Sequence, residues 1–394
     1  MQYRPFGKLN FQVSALGFGC MRLPTLGEPA KIDEQEAIRM IRYAIDHGVN
    51  YLDSAYVYHG QQSERVLGLA LQDGYRKRVK VATKLPTMRV NEAADFDRLL
   101  NEQLERLQTD HIDLYLLHGL RRSRWAKMQA LGACQWAEKA IADGRIGHLG
   151  FSFHDVFDEF KRILDDYDGW EFCQIQYNYM DEKTQAGTAG LRYAAAKGLA
   201  VVIMEPLLGG RLADVPEEVR AIFDRGPVKR SPAEWGLQWL WNQPEVSVVL
   251  SGMTTMAQVE ENVASASRSG VGTLTAEEIA LVEAARDKYG ESCPIPCTQC
   301  RYCMPCPNGV DIPFNFANFN ASIIHRQVST GRFRYGNWDA DRLAGACIGC
   351  QKCEDKCPQS IRISEWMPYI HQVLGEGKEH DPAYGRGLQA ERNS

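Results

Sequence analysis

The sequence predicts an α/β protein: a closed (β/α)8 barrel over residues 1–270, followed by a smaller, mainly helical, cysteine-rich domain over residues 271–394. Three observations carry this. Short, almost continuously apolar strand segments alternate eight times with helical segments up to residue 266, which is the pattern of a parallel sheet covered by helices. Several strands end on an ionisable residue, as when catalytic groups gather at the C-terminal mouth of a barrel. Nine of the twelve cysteines lie between Cys293 and Cys357.

Taken in order, Tyr3–Val13 reads as a hairpin, with turn residues between short β-prone pieces, and is expected to plug the barrel bottom. Strand Val13–Gly19 is followed by a helix over Asp33–His47. Strands Asn50–Asp53, Val79–Lys84 and Ile112–Leu117 are followed by helices Ser63–Gln72, Glu92–Leu107 and Trp125–Ala142. Strands His148–Ser152, Phe172–Gln176, Ala200–Met204 and Val246–Leu250 precede helices Val156–Asp165, Thr188–Ala196, Pro232–Trp241 and Met256–Ala266. A doubly wound sheet is the competing architecture. Gly17-x-Gly19 hints at a dinucleotide fingerprint, but Arg22 stands where the third glycine belongs, so that signal is set aside.

Composition narrows the function. The chain of 394 residues has a net charge of −5, and its pI near 6.0 offers no basic surface for nucleic acid. No apolar run approaches the ~18 residues of a membrane span, and the N-terminus lacks the apolar core of a signal peptide. A cytoplasmic protein without membrane or nucleic-acid partners is expected, its clustered cysteines serving as metal ligands rather than disulfides. Cys20, Cys134 and Cys173 read as buried apolar residues.

The chemistry centres on Asp53-Ser54-Ala55-x-x-Tyr58, followed by Ser63-Glu64, with Lys84 and His118 at the ends of the next two strands. Any one of these alone reads as a helix cap, a solvated lysine or a core histidine. Together they could form an acid–base group, with Tyr58 as proton donor and Lys84 lowering the phenol's pKa by roughly 1–3 units. Asp53 would hold Lys84, and His118 would orient the substrate oxygen. This set resembles the Asp-Tyr-Lys-His tetrad of the aldo-keto reductases over roughly residues 1–266. The resemblance implies a TIM barrel that binds NAD(P)H and transfers hydride to an aldehyde or ketone, or catalyses the reverse alcohol oxidation.

By the same resemblance, Ser152 and Gln174 match positions that hold the nicotinamide carboxamide, and Glu261-Asn262 the pair near the adenine. Gly19, Met21, Arg22, Met204, Glu205, Ser251 and Gln258 are further cofactor candidates. The loops after strands seven and eight of such barrels often bind phosphate, which adds Leu207, Gly209 and Arg211. The chain departs from the family at Phe153, where asparagine is usual, and at Met204, where an aromatic is usual. Gly252 and Gln258 replace basic residues that hold a 2′-phosphate, so NADPH is expected to lose most of its advantage over NADH. The run Arg121-Arg122-Ser123-Arg124 beyond His118 reads as a solvated face, with recognition of an anionic substrate group as the alternative.

In the tail, Cys297, Cys300, Cys303 and Cys306 form one run, and Cys347, Cys350, Cys353 and Cys357-Pro358 another. The second matches the bacterial ferredoxin spacing, in which the fourth cysteine of a run ligates the other run's cluster. Two [4Fe–4S] clusters are expected, with Cys293 as a substitute for Cys306; a zinc site is the bland alternative. Phe314, Phe316, Phe319, Tyr335 and Trp338 could shield the clusters. The clusters could be structural, could sense redox state, or could relay electrons to a ferredoxin or other redox partner. A rival function is an iron–sulfur electron-transfer component whose barrel is a binding or docking module.

Overall fold

The computed structural model describes the chain except residues 29, 156, 184, 293, 325, 386–387 and 389–394. Two compact units emerge, one of residues 1–206 with 236–275, the other of residues 207–235 with 276–394. Among the described residues no helix is long and apolar enough to cross a membrane.

The first unit opens with an antiparallel hairpin of β1 (Tyr3–Pro5) and β2 (Gln12–Ser14). Eight strands then close a parallel barrel: β3 (Leu16–Gly19), β4 (Tyr51–Asp53), β5 (Lys80–Leu85), β6 (Ile112–Leu120), β7 (Ile146–Phe153), β8 (Phe172–Gln176), β9 (Ala200–Met204) and β10 (Val246–Gly252). Each strand pairs with its sequence neighbours, and β10 returns to β3, so no edge is left to template aggregation. The intervening helices are α1 (Glu34–Asp46), α2 (Ser63–Ala70), α3 (Ala94–Leu107), α4 (Arg122–Ala130), α5 (Ala133–Ala142), α6 (Phe157–Asp165) and α7 (Gly187–Ala196).

Two boundaries differ from the sequence reading for identifiable reasons. The helix expected over Trp125–Ala142 is two, because Gly132 takes a left-handed φ of +77° and starts α5 afresh. The expected strand Val13–Gly19 is divided between the hairpin and the barrel. The start of the helix expected from Val156 lies outside the described residues. Phe6 and Val13 of the hairpin are fully buried against Tyr51, Leu114 and Phe172, so the hairpin closes the barrel floor as a plug.

Strand periodicity explains the site's position. Side chains two apart face the same way, and Tyr51, Ala82, Leu114, Leu116, Phe172, Ala200, Val202, Val248 and Leu250 form the barrel's apolar interior. Stepping two residues on from each of these rows reaches Asp53, Lys84, His118, Gln174, Met204 and Gly252. The polar mouth therefore continues the apolar core on the same row of each strand. Gly17 lets β3 pack closely, since a Cβ there would lie 2.6 Å from the Leu250 side chain.

The second unit contains α8 (Glu217–Phe223), which the sequence did not signal, and the start of α9 (Pro232–Trp241), whose larger part belongs to the first unit. α10 (Met256–Ser267) completes the first unit, and α11 (Ala276–Ser292), α12 (Ile312–Ile324), α13 (Val328–Gly336) and α14 (Ile363–Ile370) complete the second. The second unit's core joins Ile312, Phe316 and Phe319 with Tyr335, Trp366 and Ile370. Buried amides fix the connections: Asn320 accepts from the Ile295 N–H and donates to its carbonyl, and Asn315 accepts from the Ala344 N–H. Each satisfies a backbone group that burial would otherwise leave unpaired.

Candidate active site and cysteine centre

At the mouth, Lys84 Nζ donates to Asp53 Oδ1 at 2.5 Å and to the Ser54 carbonyl at 2.7 Å, with both side chains almost fully buried. Gln174 Nε2 donates to the other Asp53 oxygen at 2.9 Å. Neighbouring registers create this meeting, since Asp53 pairs with Ala82 on β5, two residues before Lys84. The Tyr58 ring lies 5.0 Å from Lys84 Nζ, centroid to nitrogen, and meets the His118 ring edge-on at 6.1 Å. Asp53, Tyr58, Lys84 and His118 thus form one cluster, joined by Gln174.

The loop carrying Tyr58 is wound tightly. His59, Gly60 and Gln61 all take left-handed φ values, of 49°, 59° and 74°. Two of them are not glycine, a cost of the kind found where a site is over-determined by its surroundings. The His59 Nε2 accepts from the Leu23 N–H, and Ser63 Oγ bonds both Ser54 Oγ and the Cys20 carbonyl, which tie the loop down. Behind Lys84, the buried Glu64 accepts from Thr83 and Gln103, and Gln103 also donates to the Lys84 carbonyl.

The expected lowering of the Tyr58 pKa is not what the surroundings produce. Burial pushes the phenol well above its ordinary value, and Asp53, Cys20 and Glu205 add to the shift. The Lys84 charge is largely matched by Asp53 at 2.5 Å, so it does little for a phenolate. Burial likewise drives the His118 imidazole well below its ordinary value, helped by Lys84, His154 and Arg124. At neutral pH the mouth holds a protonated phenol and an uncharged imidazole.

The remaining candidates divide. Ser152, opposite Gln174 in the register, accepts from the Gly119 N–H at 2.8 Å. Asn262 donates to Ser251 Oγ. Gln258 is taken up by the capping box that starts α10, where its Oε1 accepts from the Thr254 and Thr255 N–H groups. Gly19 is buried with its backbone against Ser251, Met21 is exposed, and Met204 is half-buried at the end of β9. Glu205 follows it with φ +53°, its carbonyl accepting from Asn178. Arg22 packs its aliphatic stem over Gly252. Leu207, Gly209 and Arg211 belong to the second unit, where Arg211 donates to the Cys297 carbonyl at 3.1 Å and accepts at its own carbonyl from Tyr289. That guanidinium thus meets the cysteine loop.

A polar relay that the sequence reading passed over extends from the mouth. His154 Nδ1 faces Gln185 Oε1 at 3.2 Å, Gln185 donates to Gln176, and Gln176 donates to Asp181 at 2.7 Å. Only its strand member carried a sequence signal: Gln176 stands two residues beyond Gln174 on the same strand row.

In the second unit, Cys297, Cys300, Cys303 and Cys357 line one cavity, walled by Ile312, Phe316, Ile361 and Ile363. Cys303 lies within electrostatic reach of Cys297, Cys357 and Cys353, and Cys353 within reach of Cys347 and Cys306. The fourth cysteine of each run therefore neighbours the other run's set. Four thiols around an apolar cavity are a donor set suited to an iron–sulfur cube. Cys350 is exposed, whereas Cys303 and Cys353 are buried. Cys293, the alternative fourth ligand, lies outside the described residues. Phe316, which lines that cavity, and Phe319 are buried, and Phe314 stacks on Trp338 at 4.0 Å between centroids.

Comparison with known proteins gives two family matches: the Aldo/keto reductase family over residues 15–287, and the 4Fe-4S dicluster domain over residues 296–361. L-galactose dehydrogenase of Arabidopsis thaliana is 28% identical over 307 residues, 72% of this chain and 94% of that protein. A 6-dehydroglucose reductase of Novosphingobium aromaticivorans is 27% identical, covering 66% and 88%. Among solved structures, an aldo-keto reductase from Bacillus halodurans in its holo form is similar with a TM-score of 0.61 at 27% identity, covering 72% of this chain and 96% of that one.

Proposed function

This chain is an oxidoreductase that belongs to the aldo/keto reductase family, and from that premise we propose that its barrel transfers hydride between NAD(P)H and a small carbonyl compound or the corresponding alcohol. The observation that carries the reading is the buried Asp53–Lys84–Tyr58–His118 cluster at the barrel mouth. Nicotinamide, when bound, supplies the hydride; Ser152 and Gln174 are the residues suited to hold its carboxamide. The Tyr58 phenol, kept protonated by burial, is the proton donor to the carbonyl oxygen. Lys84, clamped by Asp53 and the Ser54 carbonyl, lies 5.0 Å from the Tyr58 ring and holds the phenol in position. His118 is uncharged and so orients the oxygen by hydrogen bonding without competing as an acid.

The second unit gathers Cys297, Cys300, Cys303 and Cys357 around one cavity and brings Cys306 and Cys347 to Cys353; with Cys350 added by the ferredoxin spacing, these are two thiol sets, each suited to a [4Fe–4S] cluster. Such clusters, when bound, exchange single electrons, which suits contact with a one-electron redox partner.

Tyr58→Phe tests the barrel reading. It keeps the ring and removes the proton, so turnover on aldehydes should fall on the order of 10²-fold or more while nicotinamide binding is little changed. Near-normal turnover would exclude Tyr58 as the acid.

A further inference from the structure

Resting on the hydride-transfer reading, we propose that Glu64 is a positioning residue for the Tyr58–Lys84 pair, holding from behind both the loop that carries Tyr58 and the strand end that carries Lys84. The two groups stand on different elements, Tyr58 in the loop before α2 and Lys84 on β5. Their spacing, 5.0 Å from ring centroid to Nζ, therefore depends on what fastens one element to the other. Glu64 lies in the first turn of α2, and its side chain is wholly buried.

One carboxylate oxygen serves the Lys84 side. Oε1 accepts from Thr83 Oγ1 at 2.6 Å and from Gln103 Nε2 at 2.5 Å, and the same Gln103 amide donates to the Lys84 carbonyl at 3.1 Å. Gln103 is fixed in turn by the Tyr115 hydroxyl, which donates to its Oε1 at 2.6 Å. The other oxygen serves the Tyr58 side. Oε2 meets Arg106 Nη1 at 3.4 Å, and Arg106 Nη2 donates to Gln61 Oε1 at 2.8 Å. Gln61 belongs to the Tyr58 loop and holds a left-handed φ of 74°. Residues of α2, β5 and α3 thus meet on one carboxylate, with β6 joined through Tyr115.

Stability alone does not account for a charge at this point. Burial pushes the Glu64 pKa up, against its three hydrogen-bond donors, and an ion pair as long as 3.4 Å offsets little of the cost of desolvating both groups. What the node requires is an acceptor at both oxygens, because Gln103 and Arg106 present N–H groups from opposite sides. Glutamine has the same volume, but its amide nitrogen would face one of those donors with hydrogens against hydrogens. A misplacement of about 1 Å can cost on the order of 10²-fold in rate, so a loosened node reads out in kcat.

The test compares Glu64→Gln with Ile163→Ala, a core truncation on α6, in the full chain at a temperature where circular dichroism shows both folded. With NADPH and the best aldehyde of a panel, Glu64→Gln should lower kcat about tenfold or more while KM and nicotinamide binding change little. It should also speed amide exchange about tenfold in peptides covering residues 58–62 and 84–87, leaving residues 172–176 of β8 at their original rate. Ile163→Ala should lose stability without either effect. If Glu64→Gln does not fold, Gln61→Asn takes its place: asparagine tolerates a left-handed φ but is too short to reach Arg106, so loop exchange should rise and kcat fall. An unchanged kcat, or exchange that rises evenly over the barrel, overturns the proposal. If the wild-type protein oxidises no NADPH with any aldehyde of the panel, hydride transfer is rejected, and local exchange alone then decides whether Glu64 holds the Tyr58 loop.

Discussion

A Cβ on Gly252 would sit 3.2 Å from the Cβ and Cγ of Arg22, so the missing side chain on β10 makes room for an arginine from the loop after β3. From sequence, Gly252 and Gln258 implied a lost 2′-phosphate site. The structure commits Gln258 to a helix cap but lays Arg22 over Gly252. We expect NADPH to bind about tenfold tighter than NADH through this arginine, and Arg22→Gln to bring the two to parity in fluorescence titration. A ratio unmoved by the substitution would remove Arg22 from the site. His154 permits a second prediction. Buried, it takes a proton only near pH 4, whereas an unfolded histidine does so near 6.5. The unfolded chain thus binds the extra proton between those values, and stability falls as pH drops through that window, by up to about 3 kcal/mol from this group alone; His118 acts in the same direction. Urea unfolding at pH 7 and pH 4.5 should show the loss, and His154→Gln should shrink it; an unchanged difference would assign it to other groups.

Among the elements, α2 and α3 meet at a backbone-to-backbone contact. A Cβ on Gly68 of α2 would lie 2.7 Å from the Arg106 carbonyl and 2.8 Å from Leu107 backbone atoms. Alanine in a helix normally gains up to about 1 kcal/mol over glycine, but here the obstacle is backbone, which cannot swing aside. Overpacking of this kind costs about 1–3 kcal/mol, so Gly68→Ala should lower the melting temperature, and a rise would show that the helices can separate freely. Strand order and the strand ends bearing Asp53, Lys84 and His118 were legible because apolar runs and period-two alternation are local signals. The break at Gly132 was not, since glycine in a helical pattern does not announce its φ. Nor was the His154–Gln185–Gln176–Asp181 relay, which depends on a loop returning to a strand end. The direction of the Tyr58 pKa shift was misjudged because sequence shows the nearby lysine but neither the depth of burial nor how closely Asp53 matches its charge.

At the scale of the whole molecule, the two cysteine runs can be tested for how they assemble as well as for what they hold. Anaerobically prepared protein should contain about eight iron and eight sulfide per chain, as two cubes require. If each run served its own cluster, Cys300 and Cys357 would belong to different cubes; the cavity they share predicts the same one. The double variant Cys300→Ser/Cys357→Ser should therefore keep about four iron, while Cys300→Ser/Cys350→Ser should lose nearly all, because it damages both sets. The opposite ranking would reject the crossed arrangement. In either variant the nicotinamide binding proposed for the first unit's residues should persist and would separate cluster loss from general unfolding. Cys350 is exposed where Cys303 is buried, so a chelator should strip iron in two phases, with the Cys350 set first. A single phase would mean that the exposed thiol does not control access. A colourless protein with zinc and no acid-labile sulfide would discard the iron–sulfur assignment altogether while leaving the barrel chemistry untouched.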